Sequence, residues 1–217
     1  AYIALIQKDF KYIIGFSSVS HMGLVMLGFA TLNLLGLTGA GLQMFSHGVM
    51  TALFFSIVGM VYDRAHTRQI PELGGMMQRM PWAGIAFLIA SFTSMGMPGF
   101  SGFVAEIPIY MGLWQGVALD PINLPGFMSA PWFFPAAAII SALSIVITAA
   151  YILLAVRRVF FGELPAQFAT LPDVSALDKV ALVLLSGLMV VVGVYPAIMA
   201  PLVESGIRPV LQALGGG

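Results

Sequence analysis

Two histidines and a glutamate, His21, His47 and Glu106, stand inside long apolar stretches, away from the loops that hold nearly every other charge. Carrying a charge into hydrocarbon costs about 3 kcal/mol on insertion scales, so such residues are rare and mark ion or substrate pathways. Imidazole accepts and releases protons near neutrality, and a carboxylate can be neutral or charged according to its hydration. The chemistry these three suggest is proton transfer.

Their sequence contexts differ. Gln43, His47 and Thr51 recur at i, i+4 and i+8 and so share one helix face. A polar stripe on an apolar helix faces protein or water, which suits His47 to a proton relay; the plainer reading is an interhelical hydrogen bond worth about 1 kcal/mol. His21 lies in Ser17-Ser18-Val19-Ser20-His21-Met22-Gly23, roughly 15 Å along its helix from a basic flank. That patch reads either as a water-holding site or as hydroxyls bonded to backbone carbonyls, with His21 as a packing donor. Glu106 follows the interruption Met95-Gly96-Met97-Pro98-Gly99-Phe100-Ser101-Gly102. A broken membrane helix frees backbone polar groups, tolerated only where protein or water re-satisfies them, and transporters put such breaks at ion sites. The alternative for Glu106 is a structural carboxylate paired with a lysine outside this sequence.

The elements that must position these groups are membrane helices. Of 217 residues 59% are hydrophobic and 8% charged, and mean hydropathy is +0.98, whereas soluble domains carry about 25% charged residues. Nine basic residues balance nine acidic ones, which leaves no basic surface for nucleic acid. Cysteine is absent, which excludes disulfides, thiolate metal sites, cysteine-ligated iron–sulfur clusters and a cysteine nucleophile. The 14 methionines and 16 phenylalanines are read as core and lipid-facing filler.

Spans of about 20 apolar residues are expected over 12–32, 42–62, 82–115, 132–156 and 180–202. A helix stub ends near Gln7 and reads as the tail of a helix that begins outside the sequence. The third span is too long for one straight crossing, so two half-helices joined by a loop are expected, with Glu106 on the second. If each segment crosses once, Lys8, Lys11, Arg64, Arg68, Arg79, Arg157, Arg158 and Lys179 fall on one side and Arg208 opposite; the basic side is expected to be cytoplasmic or its organellar equivalent. The connection 116–130, with Asp120 and no basic residue, suits the translocated side. Pro81 is placed to open a helix, Gly162 to stop one, and Trp82, Trp114 and Trp132 to mark interfaces. Gly215 to Gly217 are expected to be a loose end.

Several of these motifs together resemble the antiporter-like, proton-pumping membrane subunits of respiratory complex I. Asp9-Phe10-Lys11 with the Ser17-to-Gly23 patch resembles the family's D-x-K-R and S-S-V-S-H-M-G signature. Gln43-Met44 with Ser46-His47-Gly48, Tyr62-Asp63-Arg64 with His66-Thr67-Arg68, and Gly74-Gly75-Met76 continue it. Pro98-Gly99 with Ser101-Gly102-Phe103-Val104-Ala105-Glu106 resembles L-P-G-x-S-G-F-V-G-E-F. The match is collinear over about the first 110 residues and looser beyond. Glutamate at position 106, where the L and N types carry lysine, points to the M type, called subunit 4 or D elsewhere. Tyr12, Ala105 and Ile107-Pro108 depart from the pattern.

The resemblance implies an all-α polytopic membrane fold: about five full transmembrane helices after the stub, the third broken. It implies a single membrane unit over 1–217, with 1–160 most of the second inverted repeat and 178–203 the terminal helix. His47 and Glu106 would transfer protons, with His21 and Lys11 as further candidates, in a subunit of an NADH-, NADPH- or ferredoxin-driven quinone oxidoreductase. The chain itself is expected to bind no cofactor or metal; flavin, iron–sulfur clusters and quinone would belong to other subunits. Implied partners are the L- and N-type subunits and the bilayer of a bacterial inner, thylakoid or mitochondrial inner membrane. A multisubunit cation/proton antiporter or a membrane-bound hydrogenase shares the fold and is the rival reading. A passive scaffold is the rival of another class.

Overall fold

The helices begin where something can take up their free N–H groups. The computed structural model describes residues 1–116, 126, 128 and 130–214; the expectations for Asp120 and for Gly215 to Gly217 lie outside them. Helix α1 (Tyr2–Ile6) leads to α2 (Phe10–Ala30), where the Asp9 carboxylate accepts from the Lys11 and Tyr12 N–H groups. Asn33 caps α3 (Leu34–Ala65) by accepting from the Gly36 N–H, and α3 stops where His66 turns left-handed at φ 54°. Pro81 occupies the first turn of α4 (Pro81–Ser94), where a missing N–H is harmless. Next come α5 (Ser101–Gln115) and α6 (Phe133–Phe160), the latter followed by Gly162 at φ 93°. A reciprocal Ser175–Asp178 box opens α7 (Ala176–Val194), and α8 (Ala200–Ala213) closes the described chain. The described residues form no strand, only an isolated bridge between Asp9 and Gln69.

Four helices, α2, α3, α6 and α7, are long and apolar enough to cross a membrane. The half-helices α4 and α5 supply the expected broken crossing, with the chain reversing between Met95 and Phe100.

Two boundaries differ from the sequence reading. Helix α3 starts at Leu34, not Leu42, although Gly36, Gly39 and Gly41 weaken its first turns intrinsically. Packing overrides propensity there. A Cβ on Gly39 would lie 2.7 Å from the Ile109 nitrogen and 2.9 Å from the Ala105 oxygen, and one on Gly112 would lie 2.5 Å from the Gly36 nitrogen. The α3–α5 seam is built on small residues. The last crossing ends at Val194, not near Leu202, because Pro196 cannot continue it. The terminal unit expected over 178–203 is thus a crossing plus a separate helix, α8, which lays Val203 and Ile207 against Gly41. Helix α7 also packs on α3, α4 and α5, so it belongs to the same bundle.

The basic residues expected on one side share one end of the bundle. Ile70 N–H donates to the Lys8 carbonyl, and Arg68 meets Asp9 at 3.4 Å. Arg64 pairs with Asp178 at 3.1 Å and Lys179 with Asp173 at 3.1 Å, while Arg79 donates to the Leu171 carbonyl. Lys8 and Arg158 line one shallow cavity. Inward from this end, the fully buried rings of Phe10, Phe54, Phe87 and Phe160 pack together, centroids 4.8–6.3 Å apart. Arg208 sits on α8, paired with Glu204.

Candidate functional site

Beyond the phenylalanines, five helices bring polar groups to one place. His21 comes from α2, Gln43, Ser46 and His47 from α3, Ser94 from the end of α4, Ser101 and Glu106 from α5, and Tyr151 from α6. All are buried: Glu106 is 4% exposed, His21 5%, His47 8% and Gln43 2%.

His21 is the hub. Its Nε2 lies 3.1 Å from Ser94 Oγ, and its Nδ1 accepts from Gln43 Nε2 at 3.3 Å. The same Nδ1 is 3.8 Å from Glu106 Oε1, and the His47 ring lies 5.3 Å away between centroids. His21 bonds side chains of two other helices and sits at the centre of the cluster, a position compatible with both readings given for it. Its serines divide: Ser17 meets the Tyr151 hydroxyl at 2.7 Å, whereas Ser18 donates back to the Ile14 carbonyl.

The helix break shapes the pocket of Glu106. Gly96 turns left-handed at φ 63°, and a Cβ on it would lie 2.5 Å from Glu106 Oε2. Glycine is therefore required twice, for its φ and for the room it leaves the carboxylate. A Cβ on Gly102 would collide with the Thr93 carbonyl, so the two half-helices meet closely beside the break. Ser46 and Ser101 hydroxyls, 2.7 Å apart, join α3 to the first turn of α5. Pro108 lies inside α5 without ending it.

Other expected residues sit elsewhere. Thr51 leaves the stripe of Gln43 and His47, donating to the His47 carbonyl at 2.6 Å. Lys11 is exposed in the first turn of α2 at the basic end, about 15 Å along the helix from His21. Two contributors are new. Tyr151, 1% exposed, bonds Ser17 and interacts with the hydroxyls of Ser94 and Thr148. Asn33 donates to the Gly112 and Gly116 carbonyls at 2.8 Å each while capping α3, which fixes the far end of α5. A lone tyrosine in an apolar run carries no spacing signal; Asn33 three residues before Gly36 is a helix-start pattern that could have been read.

The arrangement is a set of proton donors and acceptors in contact, buried, and beside a broken helix. Among the described residues no group of three or more His, Cys, Asp or Glu could hold a metal ion.

With this geometry in view, the comparisons with known proteins agree. The family model described as "NADH:quinone oxidoreductase/Mrp antiporter, TM" matches residues 1–124, and the chain belongs to that family. It is 35% identical over 211 residues to NADH-quinone oxidoreductase subunit M of Rhodobacter capsulatus, covering 97% of this chain and 38% of that protein. It is 38% identical over 164 residues to NAD(P)H-quinone oxidoreductase chain 4 1 of Synechococcus elongatus, covering 76% and 29%. The fold superposes on a chain of respiratory complex I from Thermus thermophilus with a TM-score of 0.80 at 28% identity, covering 99% of this chain and 42% of that one. The chain thus spans about two fifths of the length of the Rhodobacter and Thermus proteins, and the two relatives similar in sequence are named as subunit M and chain 4.

Proposed function

We propose that this chain is the C-terminal part of a proton-translocating M-type membrane subunit of an NAD(P)H- or ferredoxin-driven quinone oxidoreductase. One observation carries the reading: His47, His21 and Glu106 come from three different helices and meet in one buried cluster against a helix break. Within this cluster His47 Nδ1 and Gln43 Oε1 have no partner among the described residues, and a buried polar group without a partner costs about 1–3 kcal/mol, which supports a reading in which these groups exchange partners.

In this reading a proton arrives from the part of the subunit outside this sequence and passes His47. It crosses to His21 and is held at Glu106 before leaving on the side away from the basic loops. The chain carries no redox chemistry; flavin, iron–sulfur clusters and quinone sit in other subunits, and L- and N-type subunits are its membrane neighbours. The basic end faces the cytoplasm, matrix or stroma. Lys11, remote from the cluster, serves topology and not transfer.

The test is Glu106→Gln in the assembled complex, scored as proton translocation per electron transferred. At least a tenfold fall in the share carried by this subunit is expected, with assembly intact; unchanged translocation sinks the reading.

A further inference from the structure

We propose that Gln43 reads the protonation state of His21 and gates the contact between His21 and Glu106, as a positioning residue whose amide turns over when the proton arrives. The proposal rests on the proton-path reading above. The observation behind it is an asymmetry: one face of the Gln43 amide is used, with Nε2 3.3 Å from His21 Nδ1, and the other, Oε1, is buried with no partner.

An amide NH2 group only donates. Against it, His21 Nδ1 must be the acceptor, which leaves the proton of the neutral ring on Nε2. That nitrogen faces Ser94 Oγ at 3.1 Å, and behind Ser94 stand Tyr151 and Ser17, whose hydroxyls are 2.7 Å apart. Hydroxyls both donate and accept, so this arm takes up the Nε2 proton without competing for Nδ1. The Gln43 amide alone selects the tautomer of the neutral ring, and the hydroxyl arm accommodates it. In that state Glu106 Oε1, 3.8 Å from Nδ1, is beyond hydrogen-bond reach.

When a protonated His47 ring hands its proton to Nδ1, one N–H bond breaks on His47 and one forms on His21, and the positive charge moves with the proton. Nδ1–H is now a donor set against an amide donor. A half-turn of the Gln43 amide replaces NH2 with the orphan oxygen, which accepts; the two faces have nearly the same shape, so no other heavy atom need move. The reverse turn presents a donor again and expels the proton, either back to His47, whose own Nδ1 is unpartnered and whose ring lies 5.3 Å away, or on to Glu106. Around His21 the polar groups are Ser17 on its own helix, Gln43 and His47 on α3, Ser94 on α4, Glu106 on α5 with Tyr110 one turn on, and Tyr151 on α6.

The test uses the assembled complex with the full-length subunit, labelled with 15N-histidine, and assigns the His21 signals by difference against His21→Asn. The wild-type resting complex is expected to show His21 as the Nε2–H tautomer alone; a resting Nδ1–H tautomer overturns the proposal, whatever the variants do. Gln43→Met, of similar length but with neither donor nor acceptor, is expected to release the ring into both tautomers. Gln43→Glu, acceptor only, is expected to hold Nδ1 protonated. Each is expected to lower proton translocation at least fivefold at normal assembly. Wild-type translocation in both variants overturns the gate. Glu106→Gln run in parallel separates the failures: if it pumps normally the proton path falls, and if it alone is defective only the gate falls.

Discussion

The basic end of the bundle and the cluster at its middle treat their polar side chains in opposite ways. At the end, Arg64, Arg68, Lys179 and Arg79 each find a carboxylate or a backbone carbonyl, and water is at hand for whatever is left over. In the middle, the described buried atoms without partners include Gln43 Oε1 and His47 Nδ1. On the proposed function the difference separates charges that fasten loops together from groups that change partners. Pairing at the surface is cheap and contributes little; incompleteness in the interior is costly, and of the four such atoms among the described residues two lie in the cluster, the others being Thr38 Oγ1 and Ser186 Oγ.

Four substitutions probe that contrast. The largest effect is expected at the helix break. Gly96→Ala adds a Cβ 2.5 Å from Glu106 Oε2 at φ 63°, whereas Gly99→Ala adds one into open space at φ 93°. Both carry left-handed strain of about 1–2 kcal/mol, so both should lower the thermal midpoint, but only Gly96→Ala should cut proton translocation, by about tenfold. Equal loss in the two would erase the distinction between a strained turn and a carboxylate pocket.

A middle-sized effect is expected at Asn33. Asn33→Ala removes a helix cap and two buried bonds to the end of α5, for about 1–3 kcal/mol of stability. Thermal unfolding of the complex measures it, and translocation per assembled complex should fall by less than about twofold. The smallest belongs to the basic end: Arg64→Met breaks a partly exposed pair and should cost about 1 kcal/mol or less, with translocation unchanged. A transport defect there would show that the two regions are coupled.

Much of this was legible beforehand. The helix crossings, the break before Glu106 and the one-sided basic loops follow from hydropathy, Gly/Pro chemistry and charge placement, which are local properties. The hub was not legible. Ser94 lies 73 residues from His21 and Tyr151 lies 134 residues from Ser17, and spacing along one helix says nothing about which other helices it faces. The stripe of Gln43, His47 and Thr51 shows the limit: two members point into the cluster, and the third satisfies itself on its own backbone. The early start of α3 was hidden for a related reason, since its glycines speak against helix locally and for close packing globally.

The four phenylalanines between the basic loops and His21 bear on a different matter, leakage. Phe54 is seven residues from His47 and Phe87 seven from Ser94, so about 10 Å of helix separates the polar cluster from a layer of rings with no donor or acceptor among them. A wire that carried protons straight along the bundle axis would discharge the gradient it helps to build. On the proposed function the ring layer would act as insulation, leaving the sideways direction, across the helices, as the one in which conduction could be switched.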